Sequence, residues 1–148
     1  MIKRKKNQLN MRLYDVKKRL RSKSVAKYSV DWGKKSRSKI QFKVKQFLKP
    51  YWKSHIVFEE FPVYGTRLKV DILNATIKVA VEVQGKQHSS FNSFFHSNSR
   101  AKYLASIKRD FQKSQWLELN KYKLIEIEQD EVDLLSREFF LKKFGLKL

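Results

Sequence analysis

Asp71, Glu82 and Gln84 have the residue types and the spacing that phosphate chemistry requires. Strand side chains alternate between faces. In the run Ile77 to Gln84, Ile77, Val79, Val81 and Val83 take one face, which leaves Lys78, Ala80, Glu82 and Gln84 on the other. In the preceding run Leu68, Val70 and Ile72 form the apolar face, opposite Arg67, Lys69 and Asp71. A hairpin centred near Thr76 and Ile77 sets Asp71 across from Glu82, whereas an earlier centre separates them. Two carboxylates forced together repel unless a cation or a proton lies between them. A hard divalent ion such as Mg²⁺ answers that need with one or two carboxylates, a carbonyl and waters, and keeps positions open for a phosphate oxygen. Phosphodiester hydrolysis uses such a site, because the ion stabilises charge on the phosphate and lowers the pKa of the attacking water. The competing reading is two surface acids paired with Lys69 and Lys78.

Such a pair needs a sheet with a packed reverse side, and the apolar pattern predicts one. Strand-like runs cover 55–63, 67–73 and 77–84, separated by Tyr64-Gly65-Thr66 and Asn74-Ala75-Thr76, so an antiparallel meander is expected. Before it, Ile40, Val44, Phe47, Leu48 and Tyr51 share a helical face, with Ser36 or Ser38 as cap and Pro50 at the end. After it come a loop over 85–99, a helix from about Arg100 to Leu119 showing Leu104, Ile107, Phe111 and Leu117, a strand over 122–127 and a helix over 132–144. The expected fold is α/β, a mixed sheet flanked by helices. Leu9, Leu13, Val16 and Leu20 recur at helical spacing, which predicts a short basic amphipathic helix, and residues 22–37 read as a linker. The division expected is a basic arm over 1–35 and a folded domain over 36–148.

Of the 34 Lys and Arg, 19 fall in residues 1–54 against Asp15 and Asp31 alone; the remaining 15 face 12 acids. A basic arm on a nearly neutral domain fits a polyanion, DNA or RNA before a ribosome or anionic lipid. Lys3, Arg4, Lys5, Lys6, Lys17, Lys18, Arg19, Arg21, Lys34, Lys35 and Arg37 of that arm, with Arg67, Lys69 and Arg100 further on, are the candidate phosphate contacts. Lys102, Lys108 and Arg109 are further candidates, with a solvated helix face as the alternative. The absence of cysteine excludes disulfides, thiol catalysis and thiolate zinc sites. No apolar run reaches the length of a membrane span or a signal segment, so a cytoplasmic location is expected, with no membrane partner.

The run from Ile56 to His88, with an Asp opening a hairpin and E-x-Q on the next strand, resembles the PD-(D/E)XK nuclease superfamily. Within it the closest resemblance is to the very-short-patch repair endonucleases and their small bacterial and phage relatives. Their E-x-D-G-x-x-H segment is matched by Glu82-Val83-Gln84-Gly85-Lys86-Gln87-His88, and Asp110, Lys113, Trp116, Asn120 and Ile127 stand at places marked in the following helix and strand. The resemblance covers roughly residues 36 to 130 and implies a restriction-endonuclease-like core. It implies that Asp71, Glu82 and the carbonyl of Val83 ligate Mg²⁺, with Mn²⁺ as substitute. Gln84 stands where most members carry Lys; it orients water by hydrogen bonds but brings no charge, which Lys86 can supply from two positions on. His88 is a candidate general base or metal ligand. Of Glu59 and Glu60 on the first strand only one can face the site; Glu60-Phe61-Pro62 resembles a polar-x-Pro run in the relatives and favours Glu60, whereas a strict three-residue turn at Tyr64 to Thr66 pairs Glu59 with Asp71. The first helix offers Gln41 and Gln46 where the family often has an acid.

The function implied is a metal-dependent DNA endonuclease, homing or restriction-like, mismatch-nicking or branch-resolving. Relatives that cut both strands commonly pair, so a homodimer is an open partner reading. Phe91, Phe94, Phe95 and His96 either meet bases near the cut or cap the core. A catalytically weak DNA-binding module on the same fold is the main alternative, and an RNA-binding protein the next.

Overall fold

The computed structural model describes residues 2–5, 8–85 and 100–148, and the side chains from residue 9 onward within them. Lys6, Lys86, His88, the 89–99 segment with its phenylalanines, and the side chains of Lys3, Arg4 and Lys5 lie outside the described residues.

The expected N-terminal helix is three strands. β1 (Ile2–Lys5), β2 (Gln8–Tyr14) and β3 (Leu20–Ser24) make an antiparallel sheet, followed by a 3₁₀ turn over Ala26–Tyr28. The reason lies in a second period that the helical spacing masks: Leu9, Met11 and Leu13 alternate with Asn10, Arg12 and Tyr14. Met11 and Leu13 are buried in one cluster with Val25, Phe58, Phe61, Tyr64 and Trp116, so apolar burial selects the strand. Long-range bonds fasten β2: Tyr64 Oη donates to the Met11 carbonyl (2.8 Å), Trp116 Nε1 and Asn120 Nδ2 donate to the Tyr14 carbonyl (2.7 and 3.1 Å), and Asn120 Oδ1 accepts the Tyr14 N–H (2.8 Å). The hairpin between β2 and β3 closes on Asp15. Its Oδ1 accepts the N–H groups of Lys17 (2.8 Å) and Arg19 (3.0 Å), and its Oδ2 accepts Nε of Arg19 and of Arg21, each at 3.2 Å.

The expected linker is also tied down. α1 (Lys39–Trp52) starts at Ser38, whose Oγ accepts the Gln41 N–H at 3.2 Å, and runs two residues past Pro50 to a buried Trp52. Lys45, fully buried on this helix, donates to the carbonyls of Asp31 (3.0 Å) and Lys34 (2.5 Å) and to Glu59 Oε1 (2.9 Å). One ammonium thus pins the segment before α1 against the main sheet, its buried charge matched by a carboxylate and two carbonyls.

That sheet has the order β4 (Val57–Pro62), β5 (Lys69–Asn74), β6 (Val79–Gln84) and β7 (Lys123–Glu128), the first three antiparallel and β7 parallel to β6. The crossover to β7 contains α2 (Arg100–Leu119). A 3₁₀ segment (Gln129–Leu134) and α3 (Arg137–Phe144) follow; the single helix expected over 132–144 is interrupted, and Ser136 caps α3 by accepting the Phe139 N–H at 3.0 Å. Ile72, Val79, Val81, Ile125 and Ile127 pack with Val44, Leu48 and Trp52 of α1 and Phe140 of α3. Leu73 and Ala80 face the other way, toward Trp116 and Leu117 at the end of α2 and the N-terminal sheet. The described chain is therefore α/β with a mixed four-stranded sheet flanked by helices, plus a three-stranded sheet in place of a helical arm. Of the face expected for α2, Leu117 is buried, together with Ser106 and Trp116, while Leu104 (53% exposed), Ile107 (48%) and Phe111 (61%) point to solvent. Among the described residues no helix is long and apolar enough to cross a membrane.

The Arg19 N–H, followed by those of Lys17 and by the Arg21 and Arg19 side chains, outweighs burial and holds the Asp15 carboxyl at about 2 instead of 3.8. A depressed carboxyl contributes stability above its unfolded pKa and loses it as pH falls through the folded one. Asp15→Asn is expected to lower the melting temperature at pH 7. In thermal scans across pH, that difference from the parent protein should shrink as pH falls from about 4 toward 2.

Candidate active site

The hairpin joining β5 and β6 pairs Ile72 with Val81, Leu73 with Ala80 and Asn74 with Val79, so its centre lies between Thr76 and Ile77. Continued by one residue, this register sets Asp71 opposite Glu82. Two bonds cross between them: the Asp71 N–H donates to Glu82 Oε2 (3.1 Å) and the Val83 N–H donates to Asp71 Oδ2 (2.8 Å). Glu82 is buried and Asp71 half-buried. Burial first, then the charge of Glu82 and a hydrogen bond shared with it, push the Asp71 carboxyl up to about 8; the Val83 N–H and Lys113 act in the opposite direction. The two groups share a negative charge that the backbone donors only partly stabilise.

The pairing of these acids with Lys69 and Lys78 does not occur. Glu82 Oε1 instead accepts from Lys113 Nζ at 2.6 Å, an ion pair 31 residues apart in sequence that α2 makes across the sheet. A cavity of about 500 Å³ opens over this group, lined among others by Gln84, Gln41, Arg37, Asp110 and Gln129. Arg37, Asp110 and Lys113 also line a neighbouring cavity of about 700 Å³, where Glu60, Arg67, Lys69 and Arg109 join them. The two form a single groove between the meander and α2.

Glu59 and Glu60 divide as the alternation requires, but with a distortion. Glu59 pairs with Ile72 and Phe61 with Val70, so Glu60 lies opposite Asp71, with a left-handed φ of 52°. A non-glycine residue held there is strained. Glu59 is turned to Ser36 Oγ (2.6 Å), Lys45 and Gln41, while Glu60 Oε1 accepts from Gln41 Nε2 at 3.1 Å and lines the second cavity. Gln41 thus bridges the two glutamates. Lys17, Lys18, Arg19 and Arg21 are on or beside the N-terminal hairpin, Lys34 and Lys35 on the segment pinned by Lys45, and Arg100 at the exposed start of α2; none of these seven lines the two cavities.

Sequence reasoning gave no role to Lys113, and did not find Glu126, which lies beside Glu82 in the parallel register. Burial, then Asp110, Glu128 and Glu82, raise the Glu126 carboxyl. A signal for Glu126 was present in the β7 alternation, Ile125 and Ile127 inward and Glu126 outward. It carried no meaning until β7 was known to pair with β6.

Asp71 and Glu82, with the Val83 carbonyl that the resemblance implies, would make an all-oxygen donor set of the kind Mg²⁺ takes, with the remaining positions left to water and phosphate. The set fits on chemistry: burial and Glu82 hold the Asp71 carboxyl toward its protonated form, and a divalent ion would let both carboxylates carry charge. Among the described residues no group of three or more acidic or histidine side chains could hold a metal ion, so the fit rests on this pair and a carbonyl.

No protein-family model matches the chain, and no solved structure matches it significantly. An uncharacterized protein, 033L of Invertebrate iridescent virus 3, is 38% identical over 74 residues, 47% of this chain. The matched part is 38% of that relative's length.

Removing Lys113 leaves the carboxylates without their cation, so Lys113→Ala should lose about 3 kcal/mol of stability in chelator. Asp71→Asn removes the repulsion and should raise the melting temperature in chelator. Mg²⁺ should raise the melting temperature of Lys113→Ala more than that of the parent protein, and that of Asp71→Asn least. Calorimetric scans with and without the ion check all three.

Proposed function

We propose that this protein is a metal-dependent endonuclease that hydrolyses DNA phosphodiesters on a PD-(D/E)XK-type, restriction-endonuclease-like core. The observation that carries the reading is the convergence of Asp71 and Glu82 from the two arms of one hairpin, at the floor of a groove whose other wall presents Lys113. The order helix, three-stranded meander, helix, parallel strand fits that core. The viral relative favours a viral, phage or mobile-element setting, and the protein would act on DNA in the cytoplasm of its host.

In this reading Asp71, Glu82 and the Val83 carbonyl hold Mg²⁺, or Mn²⁺ in its place. The bound ion supplies charge stabilisation at the scissile phosphate and an acidified water. Gln84, at the edge of the same cavity, orients water by donating from its amide and accepting at its carbonyl. Lys113 supplies the positive charge that Gln84 lacks: its ammonium already touches Glu82 and can turn to a phosphate oxygen when the ion takes that carboxylate. Glu60 borders the groove beside Asp71, and its bond to Gln41 keeps it oriented. Lys86 and His88 remain proposed contributors by resemblance.

A catalytically weak DNA-binding module on the same core is the second reading. Gln84 in place of a lysine and Gln41 in place of a helix acid favour it, since each removes a charge that hydrolysis uses.

The proteins to compare are the parent, Asp71→Asn and Glu82→Gln, incubated with supercoiled plasmid and Mg²⁺ or chelator. Nicking that needs the ion and falls at least ~10²-fold in both variants is the expected result. DNA retention by all three without nicking by any would establish the module instead.

A further inference from the structure

The second cavity has a composition that the acid pair does not explain. Arg67 and Lys69, at the entry to β5, and Arg109 of α2 are exposed around it, and Arg37 is shared with the first cavity. Among the described residues none of these four cations is in an ion pair, whereas Arg19, Arg21, Lys43, Lys45, Lys113 and Lys143 all are. Glu60 and Asp110 line the cavity too, so these four cations face two acids there, with Lys113 already paired to Glu82. An excess of exposed cations along a concave wall concentrates positive potential there.

Their spacing relative to the acids is regular on both walls. On β5, Lys69 precedes Asp71 by two residues on the same face, roughly 6.6 Å along the strand. On α2, Arg109 precedes Lys113 by four residues, roughly 6 Å along the helix axis. Each wall therefore carries a cation one step away from a residue of the acid centre, on the side of the second cavity.

We infer that this cavity is a phosphate subsite, in which Arg67, Lys69 and Arg109 grip the backbone phosphate next to the scissile one in the same DNA strand. That the neighbouring phosphate is the scissile one rests on the nuclease reading, but the anion site itself does not. Bidentate guanidinium contacts from Arg67 and Arg109 with a point charge from Lys69 suit a phosphodiester. The strand is then held on one side of the cut more firmly than on the other, because Arg67, Lys69 and Arg109 line the second cavity and not the first. Contacts of this kind set register and affinity and carry no base information.

The test is binding of a fluorescein-labelled DNA duplex by the full chain in chelator, followed by anisotropy over a salt series. In the triple variant R67A/K69A/R109A the dissociation constant should rise about tenfold. The slope of log affinity against log salt should fall by about 0.9, as expected when one phosphate is no longer neutralised by the protein. Charge-keeping substitutions, R67K/K69R/R109K, should restore the slope, and Lys49→Ala on the exposed surface of α1 should leave both quantities unchanged. An unchanged slope with affinity within about twofold of the parent overturns the subsite, as does an equal weakening in Lys49→Ala. Binding is read without hydrolysis, so a parent protein that never nicks DNA refutes the nuclease reading separately and leaves this result to stand or fall alone.

Discussion

Two carboxylates drawn into contact inside a fold raise one another's proton affinity and weaken the fold unless a cation carries their charge. Asp71 and Glu82 are in that position because a hairpin centred between Thr76 and Ile77 leaves no other register, and because each accepts a backbone N–H from the other arm. The rest of the molecule can be understood as support for that pair. The meander sets its spacing, α1 and α3 bury its reverse side, and Lys113 of α2 offsets part of its charge. Natural proteins keep such local conflicts where function requires them and stabilise the chain elsewhere.

The supporting elements are stiff where the pair needs them to be. Lys45 fastens the segment before α1 to β4, which fixes Arg37 and Ser38 at the mouth of the groove. The N-terminal sheet, held through Met11, Leu13 and the bonds from Tyr64, Trp116 and Asn120, braces the far end of α2, the helix that carries Lys113 and Arg109. A basic segment that charge alone suggests is a loose arm is thus part of the frame that positions the groove, and its cations are displayed from a sheet.

Much of the site could be read from residue order because strand alternation is local. Given the turn, the positions of Asp71 and Glu82 follow from a period of two, and Ser38 follows from helix capping. What failed involved competition between patterns or pairing at long range. Leu9, Leu13, Val16 and Leu20 satisfy a helical period, while Leu9, Met11 and Leu13 satisfy a strand period. The choice between them was made by Phe58, Phe61 and Trp116, which lie far along the chain. On α2 the apolar residues Leu104, Ile107, Phe111 and Leu117 suggested the buried face, yet of these Leu117 alone is buried, beside Trp116, and the helix turns Lys113 to the sheet. Pairing of Glu82 with Lys113 in preference to Lys78 depends on that rotation, which no window of sequence contains.

The groove has a directional charge pattern: Asp71, Glu82 and amides at one end, an excess of cations at the other. In the proposed nuclease, that asymmetry would orient a nucleic acid strand with its backbone across the carboxylate pair. The whole account depends on those two carboxylates sharing one ion. The most direct measurement is anomalous diffraction from crystals grown with Mn²⁺. The account predicts a peak bonded to carboxylate oxygens of Asp71 and Glu82 and to the Val83 carbonyl; a peak at other residues only, with Glu82 still bound to Lys113, would contradict it.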